Sequence, residues 1–357
     1  MAQHPDALDR PERVWLALPP RHPSAALLEE TRDAIAGLAE TLTEAADVAV
    51  LVDPEDRAAA ARLLPGAVEQ LPVPLDTPLV GRTGPTFLPA GEAVHWRLDP
   101  RSRHADVGVH RDAAVGGAIA RAAGLPVRTP LLAASRDSWV TDGAGTAVVD
   151  AGAVLAPEVN PGWSAAQAEA ELAGLLGVTR VVWTALPRRP GSGPFGGPGH
   201  LGGWMRFVEP GRLAVHWRAD RFHPEHAVGA AALRGLEGTP DAAGRALRVR
   251  TVPGGALPEA YDPAEQGVRS LVDAVPMGGH VLRPAFEDAP TEEAATALTA
   301  ELHPGRRQLR FPAPPLLRLA GSLTDLVLVQ PRLQDRPRDP GPDSAAAPHP
   351  PAAPPRR

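Results

Sequence analysis

The chain has no cysteine, and none of its 36 basic residues is a lysine. Without a thiol there can be no disulfide, no thiolate zinc site and no sulfur nucleophile. The absence of lysine excludes Schiff-base chemistry and the phosphate-binding lysine of a P-loop. Tyrosine occurs once, asparagine only as Asn160, and isoleucine only as Ile35 and Ile119. The matching excess of Ala, Gly, Pro and Arg is the imprint of a GC-rich genome, so a single arginine is a weak marker of function. The 36 basic residues are interspersed with 42 acidic ones. They form no basic stripe of the kind a phosphate backbone requires, which argues against nucleic-acid binding. No apolar run reaches membrane-spanning length, and the opening "MAQHPDALDRPERVWLALPP" lacks a cationic segment followed by an apolar core. The expectation is a cytoplasmic protein without membrane contact.

What is present is an alternation of short apolar strands and amphipathic helices, the pattern of an α/β fold. Strands are expected at 14–18, 47–52, 178–183, 204–208 and 212–217, with "TAVVD" and "AVLAP" (146–157) read as a strand pair and "LTDLVLVQ" (323–330) as the last strand. Helices are expected at 23–42, 54–64, 112–124, 164–177, 224–236 and over "TEEAATALTAEL". The helix at 164–177 opens on a Ser cap and stops at a Gly. The order is one of repeated strand-strand-helix-strand units. No G-x-G-x-x-G follows the first strand, so dinucleotide binding has no support and no cofactor is expected. Residues 1–333 read as one domain, and the Pro/Ala-rich 334–357 as a disordered tail. The open stretch "PRRPGSGPFGGPG" (187–199) reads either as a lid or as a neutral insertion.

Several segments, in the same order along the chain, resemble the agmatine deiminase and bacterial peptidyl-arginine deiminase family, a branch of the guanidino-group-modifying pentein fold. "PERVWLALPP" is similar to the family's "hertWlaWP", and "GRTGPTFL" (81–88) to "RDTGPtfv". "DGAGTAVV" (142–149) resembles "DGeGTll", and "VLAPEVNPGWS" resembles "LLNPNRNPgls". "GPGHLGGWMRFVEPG" (197–211) matches "TDGHvDnlaRFvaPg", and "AGSLTDLVLVQP" (320–331) falls where the family carries "GGGGihCiTqqqP". The resemblance implies a pentein-type α/β propeller in a single domain. It also implies, for an ordinary member, hydrolysis of a guanidine C–N bond in arginine or polyamine (putrescine) metabolism. In that chemistry a cysteine attacks the guanidinium carbon, a histidine shuttles protons, and carboxylates grip the nitrogens.

Carried over position by position, most of this machinery is missing. The cysteine corresponds to Asp325 and the histidine before it to Thr324. The arginine and aspartate of "RDTGP" correspond to Gly81 and Arg82, and the glutamate of an "EGGs" turn to Ser135. The two aspartates of "TDGHvDn" correspond to Pro198 and Gly202, while His200 alone keeps the family's identity. Losing the nucleophile removes most of the rate enhancement in comparable hydrolases. Arg82 would also set a fixed positive charge where a guanidinium should bind. Arg82 and Asp325 are complementary, and an ion pair between them inside the old site is expected.

Two functional readings follow. In one, the chain is a family member that no longer hydrolyses guanidines and acts as a binding or scaffolding protein, holding a small molecule in its central cavity, a protein partner or a second copy of itself. In the other, it is a repurposed enzyme with His200 and Asp325 as acid and base. His200 is then a proton shuttle or an inert remnant, since without carboxylates at 135 and 202 nothing identified fixes its tautomer. Asp325 reads as half of an ion pair rather than a carboxylate nucleophile; His200, Asp325 and His280 offer a candidate metal site, but their spacing is not diagnostic and no metal is expected. Trp96, Trp139, Trp163 and Trp204 read as core rather than ligand stackers. The "HRD" at 110–112 reads as a helix start rather than a kinase-type loop.

Overall fold

The computed structural model describes residues 11–20, 25–98, 111–186, 201–257, 268–312 and 320–333. The 187–199 stretch, His200 and the 334–357 tail lie outside the described residues.

The first unit comprises β1 (Pro11–Ala17), α1 (Ala25–Leu42), β2 (Asp47–Val52), α2 (Arg57–Leu63) and β3 (Glu69–Pro72). Its three strands run parallel, which obliges each connection to cross over through a helix. The second holds α3 (Val80–Thr83), β4 (Thr86–Leu88), β5 (Glu92–Val94), α4 (Val115–Ala122) and β6 (Val127–Arg128). The third holds β7 (Trp139–Thr141), β8 (Thr146–Asp150), α5 (Ala151–Val154), α6 (Ala165–Leu176) and β9 (Arg180–Thr184). The fourth comprises β10 (Met205–Glu209), β11 (Arg212–Trp217), α7 (Pro224–Leu233) and β12 (Arg248–Pro253). The fifth comprises β13 (Val275–Met277), β14 (His280–Ala285), α8 (Ala289–Leu302) and β15 (Arg307–Pro312). After it come α9 (Leu323–Leu326) and β16 (Leu328–Pro331).

In units two to five the first strand pairs antiparallel with the second, and the second parallel with the third. Unit one gains its antiparallel first strand from the other end of the chain, because β16 pairs with β1 in the register Val14 opposite Val329. The last strand thereby closes the fold and holds α9 beside the first unit. The fourth and fifth hairpins turn at Gly211 (φ 75°) and Gly278 (φ 56°), in the left-handed region that a Cβ disfavours.

Local chemistry sets the helix ends. Ser164 caps α6 by accepting the Gln167 N–H, the Gln167 side chain reaches back to the Ser164 N–H, and Gly177 ends the helix at φ 68°. Strands β2 and β8 are buried on both faces, as strands under helices must be, whereas β3, β6 and β12 are largely exposed. Trp15, Leu16, Ala49, Val50 and Leu51 are fully buried, and Ile35, Leu38 and Leu42 of α1 pack on the same core as Val14, Leu16 and Val50. Trp96 and Trp139 are buried with ring centroids 4.6 Å apart, and Trp204 is buried against His216. No helix of the described residues is long and apolar enough to cross a membrane.

Two expectations fail locally. "AVLAP" is not a strand: the Asp150 side chain accepts the Gly152 N–H and starts α5 there. The segment 323–330 is only partly strand, because Ser322 accepts the Thr324 N–H and winds Leu323–Leu326 into a helical turn before β16. Asp325 therefore projects from a capped turn. The short strands β3 to β7, β13 and β15 are not evident from the sequence, since two to six residues carry too little periodicity to register.

Candidate functional site

The first strands of the units converge. Val140 of β7, Phe207 and Val208 of β10, Val275 and Pro276 of β13, and Val329 of β16 line one cleft of about 320 Å³. One part of its wall is Gly81, Asp137, Gly202 and Thr324. Three of these are positions the sequence assigned to lost catalytic or substrate-binding residues.

The packing there is close. A Cβ built on Gly81 would lie 2.0 Å from the Thr324 carbonyl oxygen, so α3 presses directly on α9. A Cβ on Gly202 would lie 2.3 Å from Thr324 Oγ1. These approaches are shorter than any real side chain tolerates, so both positions are closed to larger residues as the backbone stands. The space that an aspartate at 202 would occupy is filled by Thr324.

Arg82 is buried in α3, and its Nε lies 3.1 Å from Asp137 Oδ2, with both side chains 6% exposed. Asp137 sits in the single turn between Ser135 and Trp139. The Ser135 hydroxyl donates to Asp137 Oδ1 in a short hydrogen bond, and the Leu201 N–H donates to the Asp137 carbonyl at 3.1 Å. Asp137 thus ties the third unit to the segment entering β10. In the site Arg82 meets the carboxylate of Asp137, a residue other than the Asp325 that the sequence points to. The signal available for Asp137 was its place two residues after Ser135 in "SRDSW".

Under α9 lies Asp273, fully enclosed. It accepts the Ser322 hydroxyl at 2.9 Å and the Leu323 N–H at 2.8 Å. Burial pushes its carboxyl up to about 6 against these hydrogen bonds; the nearby Asp325 charge raises it further and Arg206 lowers it. Asp325 is 2% exposed and is not among the residues that wall the cleft. His303, buried at the end of α8, does line it. Burial, then the charges of Arg206 and Arg306, hold its imidazole down at about 3. Asp273 and His303 carried no sequence signal, since neither lies in a segment quoted for the resemblance.

The structure gathers Gly81, Arg82, Ser135, Gly202, Thr324 and Asp325 around one place. His200 and Pro198 lie outside the described residues. His280 opens β14 opposite Met277, away from the cleft. Among the described residues no group of three or more His, Asp or Glu side chains could hold a metal ion.

Five three-strand units with helical crossovers, closed by the last strand, define a pentein-type α/β protein. The sequence profile of the Porphyromonas-type peptidyl-arginine deiminases matches residues 3–331, and the chain belongs to that family. A relative from Streptomyces coelicolor is 29% identical over 328 residues, which span 90% of this chain and 96% of the relative. The agmatine deiminase of Pseudomonas fluorescens is 28% identical over 283 residues, 72% of this chain and 75% of that one. The structure of the agmatine deiminase of Enterococcus faecalis superposes with a TM-score of 0.78 at 18% identity, covering 92% of this chain and 98% of the other.

Proposed function

We propose that this family member has lost guanidine hydrolysis and works as a binding or scaffolding protein. The family's activity is hydrolysis of a C–N bond, and relatives are named for agmatine. That chemistry needs a thiolate, and the chain has no cysteine anywhere. The observation that carries the reading is the filled site. Thr324 packs onto Gly202 where a guanidinium-gripping carboxylate would stand, and Arg82 brings the protein's own guanidinium to Asp137. A cationic substrate entering beside Arg82 would meet a like charge in a desolvated place.

The alternative, a repurposed enzyme with His200 and Asp325 as acid and base, is disfavoured by the burial of Asp325 away from the cleft wall. We place the protein in the cytoplasm, with a small molecule in the cleft and a protein partner or a second copy outside it. Carbamoyl-product formation from agmatine, free arginine and an arginine peptide tests the central point. None above buffer is expected. Turnover that disappears in His200→Ala would overturn the reading.

A further inference from the structure

The close packing at Gly202 sets one hydroxyl apart. Thr324 lies in the cleft wall, which it shares with Arg136, Arg206 and Arg306. It is only partly buried, whereas Ser322 and Asp273 behind it are 3% and 2% exposed. Thr324 Oγ1 lies 2.6 Å from Ser322 Oγ, and Ser322 Oγ lies 2.9 Å from Asp273 Oδ1. The hydroxyl proton of Ser322 goes to the carboxylate, so Thr324 donates to Ser322. A continuous chain of hydrogen bonds thus runs from a hydroxyl in the cleft wall to an enclosed carboxylate.

Part of this chain has a structural task. Asp273 Oδ2 accepts the Leu323 N–H at 2.8 Å, and Ser322 Oγ accepts the Thr324 N–H at 3.2 Å, so both side chains cap the start of α9. The Thr324 hydroxyl adds nothing to that cap, because its partner is the Ser322 side chain rather than a backbone group. Of the three side chains it alone reaches the cleft. Glycine at 202 leaves it room, since a Cβ there would lie 2.3 Å from Thr324 Oγ1. A hydroxyl joined through a relay to a buried base is the arrangement that activates a serine or threonine nucleophile.

We propose that Thr324 is an acyl-acceptor site, whose hydroxyl takes the acyl group of a small neutral ester bound in the cleft, with Ser322 and Asp273 as positioning residues. Thr324 Oγ1 attacks the carbonyl carbon and forms a new C–O bond, while the bond from that carbon to the alcohol oxygen breaks. The Thr324 proton moves to Ser322 as Ser322 gives its own to Asp273. The alcohol oxygen leaves with the bonding electron pair and takes a proton from solvent, so the products are an acyl-threonine and the free alcohol. Burial pushes the Asp273 carboxyl up to about 6; Asp325 of α9 raises it further and Arg206 of β10 lowers it, so at pH 7 it is ionised and able to accept a proton. The volume of about 320 Å³ is at the small end for ligand sites and suits a short acyl chain rather than a peptide. This inference rests on the reading that the cleft holds a small molecule, and it names that molecule's class.

The test treats the full chain with p-nitrophenyl acetate, then reads the intact mass and sequences the tryptic peptide 319–332, whose only hydroxyls are those of Ser322 and Thr324. The lack of lysine and cysteine removes the usual competing nucleophiles. One acetyl group on Thr324 is expected, formed about 100-fold faster than on the urea-unfolded chain, the scale of general-base assistance. Thr324→Val should abolish the reaction and Thr324→Ser should keep it. Thr251→Val, at an exposed threonine of β12, should leave it unchanged. In wild type the rate should rise with pH through about 6, and Asp273→Asn should slow acylation and flatten that rise. If Asp273→Asn fails to fold, Thr324→Val and Thr324→Ser still decide the matter, since neither touches the cap of α9. Acetyl on Ser322, or only on histidine or the N-terminal amine, equal rates in wild type and Thr324→Val, or no excess over the unfolded chain would overturn the inference. Ammonia release from agmatine is a separate readout, so failure here and failure of the lost-deiminase reading are distinguishable.

Discussion

Arg82 and Asp137 meet within the site across 3.1 Å, each with a side chain only 6% exposed. One comes from the short helix α3 and the other from the turn before β7, so the contact joins the second and third units. Taking two charges out of water is costly, and removing one partner leaves the other buried charge less compensated. Arg82→Met alone should therefore lower stability by about 3 kcal/mol in urea unfolding. The double variant Arg82→Met/Asp137→Leu should recover most of that loss. Additive losses would show that the two side chains act independently.

Gly202 tests how closely Thr324 packs on the segment entering β10. Gly202→Ala should destabilise by about 1–3 kcal/mol, the usual cost of overpacking, because its Cβ would fall 2.3 Å from Thr324 Oγ1. Adding Thr324→Ala removes that oxygen and should recover part of the loss, as read by the midpoints of chemical unfolding. A neutral Gly202→Ala would mean that the site is looser than described.

Asp112, buried beneath the second unit, accepts the Asp76 and Thr77 N–H groups and the Thr77 hydroxyl, at 2.7, 3.2 and 2.6 Å. Burial nevertheless pushes its carboxyl up from 3.8 to about 6. The folded state then holds a proton that the unfolded chain releases near pH 4, so this group favours folding below pH 4 and loses that contribution as pH rises through 6. Asp112→Asn mimics the protonated form. Wild type should lose up to about 3 kcal/mol relative to the variant between pH 4 and pH 6. Parallel stability curves across that range would contradict the assignment.

Glu225 behaves in the opposite sense. Burial alone would raise its carboxyl, but hydrogen bonds and charges from His216, at 3.0 Å, and Arg218, at 2.9 Å, outweigh burial and hold it at about 2. Its contribution is complete above pH 4.5 and is lost as pH falls through 2. Glu225→Gln should cost about 3 kcal/mol at pH 7, with the gap to wild type closing in strong acid. A gap that stays constant with pH would show that charge is not the reason.

Much of the architecture could be read from the chain because its long elements are periodic and capped. The pattern of α1 and the Ser164 and Gly177 ends of α6 are local signals, and the structure places them within two residues. Unit boundaries were less legible, since strands such as β4 and β13 are three residues long and exist only through their partners. At the site, the residue types at 81, 82, 135, 202, 324 and 325 are visible in the sequence. What fills the space is not. That Thr324 occupies the room above Gly202, or that Arg82 meets Asp137, depends on how α3, α9 and the 135–138 turn approach one another, and on contacts far apart in sequence. The arginine-rich cleft wall was hidden for a further reason: in an arginine-rich chain, Arg206 and Arg306 look like all the others.

The central claim is that guanidine hydrolysis is gone. The most direct measurement is ammonia release from agmatine by the full chain, at high enzyme concentration and over hours, with an active agmatine deiminase in the same assay. The account predicts release indistinguishable from buffer, unchanged in His200→Ala. Sustained release above buffer that falls with His200→Ala would contradict it, and would mean that this cleft cleaves a guanidine without a thiol.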